Sequence, residues 1–220
     1  MSDRVALYGY AHVPWMAKRQ QMIPSEALPT PQERLALFEC ARRLFQWDGY
    51  DDIGIDHFAL PTDGLARAQK SGKLRRNFQG YTDDQAEVLI GLGASSISRF
   101  PQGFAKNDPS TSGYSRTVAA GQLPIVRGHG FSDQDRLRGR LIEALMCDFR
   151  ISAQEICRDY DVSPCEVQGL FHRTNAQFDG LLSVSDDVLF IPEAVRPLTR
   201  MIARSLDLYD LSKAGHSSAI

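Results

Sequence analysis

Apolar and polar positions alternate between two kinds of pattern in the first half of the chain. Val5-Ala6-Leu7-Tyr8-Gly9-Tyr10-Ala11-His12 is a short apolar and aromatic run that turns polar before Pro14. Such a run predicts a buried strand, and its lack of alternation predicts cover on both faces, as in a parallel sheet. Thr30-Pro31-Gln32-Glu33 then joins three helix-start signals: a capping hydroxyl, a proline for the first turn and a glutamate that completes a capping box. Leu35, Phe38, Ala41 and Phe45, with Leu37 and Leu44, give that helix an apolar face, and Gly49 closes it. A second run, Asp52-Ile53-Gly54-Ile55-Asp56-His57-Phe58, ends at Pro61 and predicts another buried strand. Strand, helix and strand in this order predict a βαβ unit with a right-handed crossover. Residues 83–92 predict a helix or helical turn. Between Pro101 and Gly130 the composition shifts to Gly, Ser, Pro and Asn, which places a domain boundary there.

The second half reads as helices with one hairpin. Asp135 to Asp148 is amphipathic through Leu137, Leu141, Ile142, Leu145 and Met146, and two further helices, Ser152–Tyr160 and Ser163–Phe178, each open on a serine that can cap. The alternating Leu182-Ser183-Val184-Ser185 and the run Val188-Leu189-Phe190-Ile191, joined by Asp186-Asp187, predict a hairpin, and a last helix runs from Glu193 to Leu208. The expected fold class is α/β, with the helical portion resembling a winged-helix module.

Composition narrows the class. The 220 residues are 43% hydrophobic and 24% charged with a formal net charge of −2, which describes a soluble globular chain of one or two domains. No stretch reaches the roughly 20 apolar residues of a membrane span, and Met1-Ser2-Asp3-Arg4 lacks the basic-then-apolar order of a signal peptide, so the expected compartment is the cytoplasm. Cys40, Cys147, Cys157 and Cys165 are too scattered for a disulfide framework or a metal motif and read as isolated thiols. Residues 131–220 carry ten Lys and Arg against fourteen Asp and Glu, the wrong sign for a nucleic-acid backbone. The winged-helix-like portion therefore reads as structural, with a non-catalytic binding module as one alternative.

In α/β folds, chemistry gathers where strands end, and Tyr10-Ala11-His12 and Asp56-His57 stand at the ends of the two predicted strands. The plainer reading is that both histidines cap strand ends. Two histidines and an aspartate also suit a metal-dependent barrel hydrolase, although no third clustered ligand or H-x-H pair accompanies them. Arg75-Arg76-Asn77-Phe78-Gln79-Gly80-Tyr81-Thr82 joins cations, amides and aromatic rings in one segment, fit for pairing anions and stacking on a planar ligand, or equally for a solvated loop with one anchoring ring. Gly91-Leu92-Gly93-Ala94 lacks the third glycine of a dinucleotide fingerprint and better suits close backbone approach to a ligand or a neighbouring strand.

Four motifs in register, Tyr10-Ala11-His12-Val13-Pro14, Ile53-Gly54-Ile55-Asp56-His57-Phe58-Ala59, Arg76-Asn77-Phe78-Gln79-Gly80-Tyr81-Thr82 and Gly91-Leu92-Gly93-Ala94-Ser95-Ser96-Ile97-Ser98, resemble the oxygen-independent coproporphyrinogen III oxidase family, radical S-adenosylmethionine enzymes of haem synthesis. The resemblance implies the terminal βα units of a partial (β/α) barrel over residues 1–105, a linker over 106–130 and the family's helical, winged-helix-like domain over 131–220. It implies oxidative decarboxylation of coproporphyrinogen III to protoporphyrinogen IX, with S-adenosylmethionine and a four-iron, four-sulfur cluster as cofactors. A tetrapyrrole substrate and a reductant protein are the implied partners, with neither nucleic acid nor membrane among them. By position, Ala11 and Ile97 match residues that contact S-adenosylmethionine, and Phe78 and Gln79 belong to the same region. Asp56, His57 and Arg76 line the substrate side in this reading, where cations suit propionates.

The family's C-x₃-C-x₂-C cluster motif is nowhere in the sequence. The expectation is therefore the C-terminal part of such an enzyme, inactive alone, arising as a truncated product or as one half of a split enzyme that pairs with an N-terminal half. Its first strand would leave an open edge and an uncovered apolar face, so the chain should tend to associate.

Overall fold

The computed structural model describes residues 2–15 and 17–209. Strand β1 (Arg4–Ala6) leads through two short 3₁₀ turns, Lys18–Met22 and Ser25–Ala27, into helix α1 (Pro31–Trp47). The capping box forms as the sequence predicts: Thr30 accepts from the Glu33 backbone while the Glu33 carboxylate takes the Thr30 N–H at 2.8 Å. Gly49, at φ 85°, ends the helix in the left-handed conformation that favours glycine.

The second predicted strand is a hairpin, β2 (Asp51–Ile53) and β3 (His57–Ala59). Gly54 turns the chain at φ 56°, and the two apolar residues around it sit on opposite sides of the turn rather than along one strand. The sheet order is β1-β3-β2, and β3 runs antiparallel to both neighbours. The strand–helix–strand unit is therefore present with β1 and β2 running the same way, but β3 lies between them. The expected parallel pairing and two-sided cover are corrected: Arg4 and Ala6 of β1 are exposed and only Val5 is partly covered.

Helix α2 (Gly64–Lys70), capped by Asp63, buries Leu65, Ala66 and Ala68 beside Ile53, Leu74 and Tyr81. The hairpin β4 (Arg75–Asn77) and β5 (Gly80–Thr82) follows. Residues 83–92, expected to be a helix or helical turn, are irregular coil instead. Thr82 and Asp84 side chains accept the backbone N–H groups of Asp84 and Ala86, which diverts the chain from a helix, and Leu89 then bridges Arg99. The Gly- and Ser-rich stretch that follows builds an antiparallel sheet of β6 (Ile97–Phe100), β7 (Gly103–Asn107) and β8 (Ile125–Gly130), with α3 (Thr111–Ala119) between the last two strands. Residues 106–130 thus carry regular structure.

The remaining elements are α4 (Asp133–Asp148), β9 (Arg150–Ser152), α5 (Ala153–Asp159), α6 (Pro164–Gln177), the hairpin β10 (Ser183–Val184) and β11 (Val188–Phe190), and α7 (Thr199–Ser205). Ser132, Ser152 and Ser163 cap their helices. The hairpin gains β9 as a third strand, and Pro197 keeps the start of the last helix, Glu193–Leu198, in 3₁₀ form. Leu145, Ile151, Phe171, Leu189, Ile191 and Ile202 are central to one continuous core. Among the described residues no helix is long and apolar enough to cross a membrane.

Candidate functional site

Asp56 closes the β2–β3 turn and His57 opens β3, so the backbone of the hairpin fixes both. The Asp56 side chain is 6% exposed, and a carboxylate so placed requires partners for both oxygens. Oδ1 lies 2.6 Å from His57 Nδ1, and Oδ2 is bound by the Arg200 guanidinium, which reaches across from α7. Tyr8 and Tyr81 meet the His57 ring edge-on, at centroid distances of 5.9 and 5.1 Å. Tyr81 is itself anchored: its hydroxyl accepts from the Ile55 N–H at 3.1 Å and donates to the Met146 carbonyl at 2.7 Å. The Arg76 guanidinium lies 5.6 Å from the Tyr81 ring centroid, and its Nε is buried without a hydrogen-bond partner among the described residues.

The electrostatics follow from this packing. Burial raises the Tyr8 hydroxyl above its ordinary range, and the Asp56 charge adds to the rise while Arg76 and Arg200 oppose it. Burial likewise pushes the Tyr81 hydroxyl up, so both phenols stay protonated donors at neutral pH. Asp56 is paired with Arg200 and His57, whereas the buried Nε of Arg76 lacks a complement among the described residues.

The structure therefore brings together Asp56, His57 and Arg76 from the predicted set. It does not join the other four to them or to each other through any hydrogen bond or ring contact among the described residues. Ala11 is exposed in the coil beyond β1, which ends at Ala6, and its carbonyl accepts from the Gln20 amide at 3.2 Å. Placement of Tyr10-Ala11-His12 at a strand end is thereby corrected. Phe78 and Gln79 form the exposed tip of the β4–β5 hairpin, with the Phe78 ring 5.0 Å from that of Phe104. Ile97 opens β6, and a Cβ at Gly91 would come within 2.8 Å of its carbonyl oxygen, so the glycine there serves close approach to a neighbouring strand. Sequence reasoning missed Arg200, which nothing local distinguishes from any cation on an amphipathic helix. It saw the Tyr8 and Tyr81 rings without their role in flanking His57.

The residues differ in what they could hold. Cys40 and Cys165 are exposed, Cys157 is half-buried and Cys147 is buried, its thiol pushed up to about 12 by desolvation and by Glu143 and Asp148. No group of three or more His, Cys, Asp or Glu side chains converges among the described residues. An iron–sulfur cluster does not fit this set, and neither does the ligand set of a metal-dependent hydrolase. The exposed Phe78 ring and Gln79 amide do suit part of a site for a nucleoside-bearing cofactor such as S-adenosylmethionine, offering a stacking face and a paired donor and acceptor.

No protein-family model matches the chain. It is 61% identical over 218 residues to the oxygen-independent coproporphyrinogen III oxidase of Paracoccus denitrificans, covering 99% of this chain and 48% of that protein. It is 35% identical over 218 residues to the protein of the same name from Thermostichus vulcanus, covering 98% of this chain and 67% of the relative. Among solved structures, coproporphyrinogen III oxidase (HemN) from Escherichia coli, described as a radical SAM enzyme, matches with a TM-score of 0.88 at 32% identity, covering 96% of this chain and 49% of that one. That match sets the class, an α/β chain with the fold of part of a radical SAM enzyme. The chain belongs to the oxygen-independent coproporphyrinogen III oxidase family. It spans about half the length of the Paracoccus and Escherichia proteins.

Proposed function

We propose that the chain is the C-terminal portion of an oxygen-independent coproporphyrinogen III oxidase, acting in the cytoplasm on a tetrapyrrole with a preceding portion that carries the cluster. The observation that supports this most is a 61% identity running over 99% of the chain but 48% of the relative, joined to cysteines that do not converge. In this reading residues 1–105 end the barrel, 106–130 join the two parts and 131–220 form the winged-helix-like domain. The helix α1 fits it: Leu37, Leu44 and Trp47 are 63%, 62% and 90% exposed, an uncovered apolar face that a preceding barrel portion would cover and that favours self-association without it.

The reaction would be oxidative decarboxylation of coproporphyrinogen III to protoporphyrinogen IX, in which a reductant protein would supply the electron that activates S-adenosylmethionine and each propionate would lose a hydrogen atom, carbon dioxide and one electron, the electron going to a separate one-electron acceptor. S-adenosylmethionine, when bound, would supply the acceptor for a hydrogen atom of the propionate side chain. Ala11, Ile97, Phe78 and Gln79 would hold it, Phe78 by stacking and Gln79 through its amide. Arg76 would take a propionate carboxylate on its unpaired Nε, a charge-assisted bond in a site already shielded by Tyr81. Asp56 and His57 would shape the same wall, held by Arg200.

Supplying the N-terminal half of the Paracoccus relative in trans, with its cluster reconstituted, tests the reading. The expected result is anaerobic vinyl formation that neither half gives alone. No gain on mixing would contradict it.

A further inference from the structure

We propose that Arg200 is a positioning residue for His57. It fixes Asp56, and Asp56 in turn holds the imidazole as the Nδ1–H tautomer with Nε2 presented to the space beside Gly80.

Asp56 is buried with one partner per oxygen, His57 Nδ1 on Oδ1 and Arg200 on Oδ2. An ionised carboxylate only accepts, so the proton between Asp56 and a neutral His57 belongs to Nδ1, and Nε2 is left as an acceptor. With Arg200 gone, Oδ2 would be buried and unpaired, and the carboxylate would be free to turn away from the ring. The ring plane is set independently by the edges of Tyr8 and Tyr81 at interplanar angles of 83° and 85°. Of the two His57 ring nitrogens, Nε2 has no hydrogen-bond partner among the described residues. It faces Gly80, where a Cβ would stand 3.2 Å away, and that residue sits at φ 136°, which excludes most side chains. Glycine at this position thus keeps a side chain from crowding Nε2. One consequence deepens the function proposed above and rests on it: Arg76, rather than His57, is left to face an anion.

Nitrogen-15 spectra of the histidine-labelled chain, recorded at rising pH until the ring shifts stop changing, read the tautomer directly. His57→Gln assigns the signal. The wild-type chain should show the Nδ1–H pattern with a slowly exchanging ring proton. Arg200→Gln should give mixed tautomers and exchange at least about tenfold faster, while Arg42→Gln, which cuts a different tie to Glu193, should leave His57 as it is. An Nε2–H tautomer in the wild type, or an Arg200→Gln spectrum identical to it, would overturn the proposal. Should Arg200→Gln not fold, Arg200→Lys decides, since faster ring-proton exchange supports the proposal and unchanged exchange overturns it. Neither cofactor nor substrate enters this experiment, so its failure is separate from a failure of complementation.

Discussion

Helices α1 and α4 start alike and end differently. Each opens on a capping box, Thr30 with Glu33 and Ser132 with Asp135, and each carries an apolar face along its length. Helix α4 buries Leu141, Ala144, Leu145, Met146 and Cys147, whereas α1 has no fully buried residue and exposes Leu35, Leu37, Leu44 and Trp47. Local signals decide that a helix forms, but tertiary packing decides how much of its face is used. The helical region from α4 onward closes a core around Phe171 and Leu145 with its own strands and helices. The region before it has a smaller core around Ile53, Leu65 and Leu74, and leaves one side of α1 uncovered.

That contrast can be broken most forcefully at Phe171, which is fully buried. Phe171→Ala should cost about 3–5 kcal/mol, read as a lowered denaturant midpoint, because cavity and transfer terms add in a closed core. The caps come next: Thr30→Ala and Ser132→Ala should each cost about 1 kcal/mol in the same assay, showing that the two helices begin with equal security. Acid resolves a smaller effect. The backbone N–H and hydroxyl of Ser132, then the Tyr209 hydroxyl, hold the Asp135 carboxyl at about 2, below the roughly 3.9 of an unfolded aspartate. Its contribution is complete above about pH 4 and fades as pH falls through about 2, so Ser132→Ala should lose less stability than wild type across that window. Smallest of all, Leu37→Ser on the open face of α1 should change stability by no more than about 0.5 kcal/mol while reducing self-association in sedimentation.

Elements with a strong local cause were legible in the sequence. The capping signals at Thr30 and Ser163 and the alternation across residues 182–191 place α1, α6 and the β10–β11 hairpin close to where they lie. Ile53-Gly54-Ile55 misled because an apolar run broken by glycine has the same composition whether the chain continues or turns back, and only the left-handed φ of Gly54 shows which. Within residues 101–130 the strands β7 and β8 and the helix α3 were not legible for a related reason: Gly and Ser at the edges of small sheets have the same composition as a connecting segment. Of the site, Asp56, His57 and Arg76 were legible from a motif, but the partner that completes Asp56 lies 144 residues away in sequence and leaves no local trace.

The most direct measurement is amide hydrogen exchange along α1 and α4, in the chain alone and after mixing with the N-terminal half of the Paracoccus relative. Helix α1 should exchange faster than α4 in the isolated chain and gain protection on mixing, while α4 should be unchanged. Equal protection of the two helices in the isolated chain, with no gain on mixing, would contradict it.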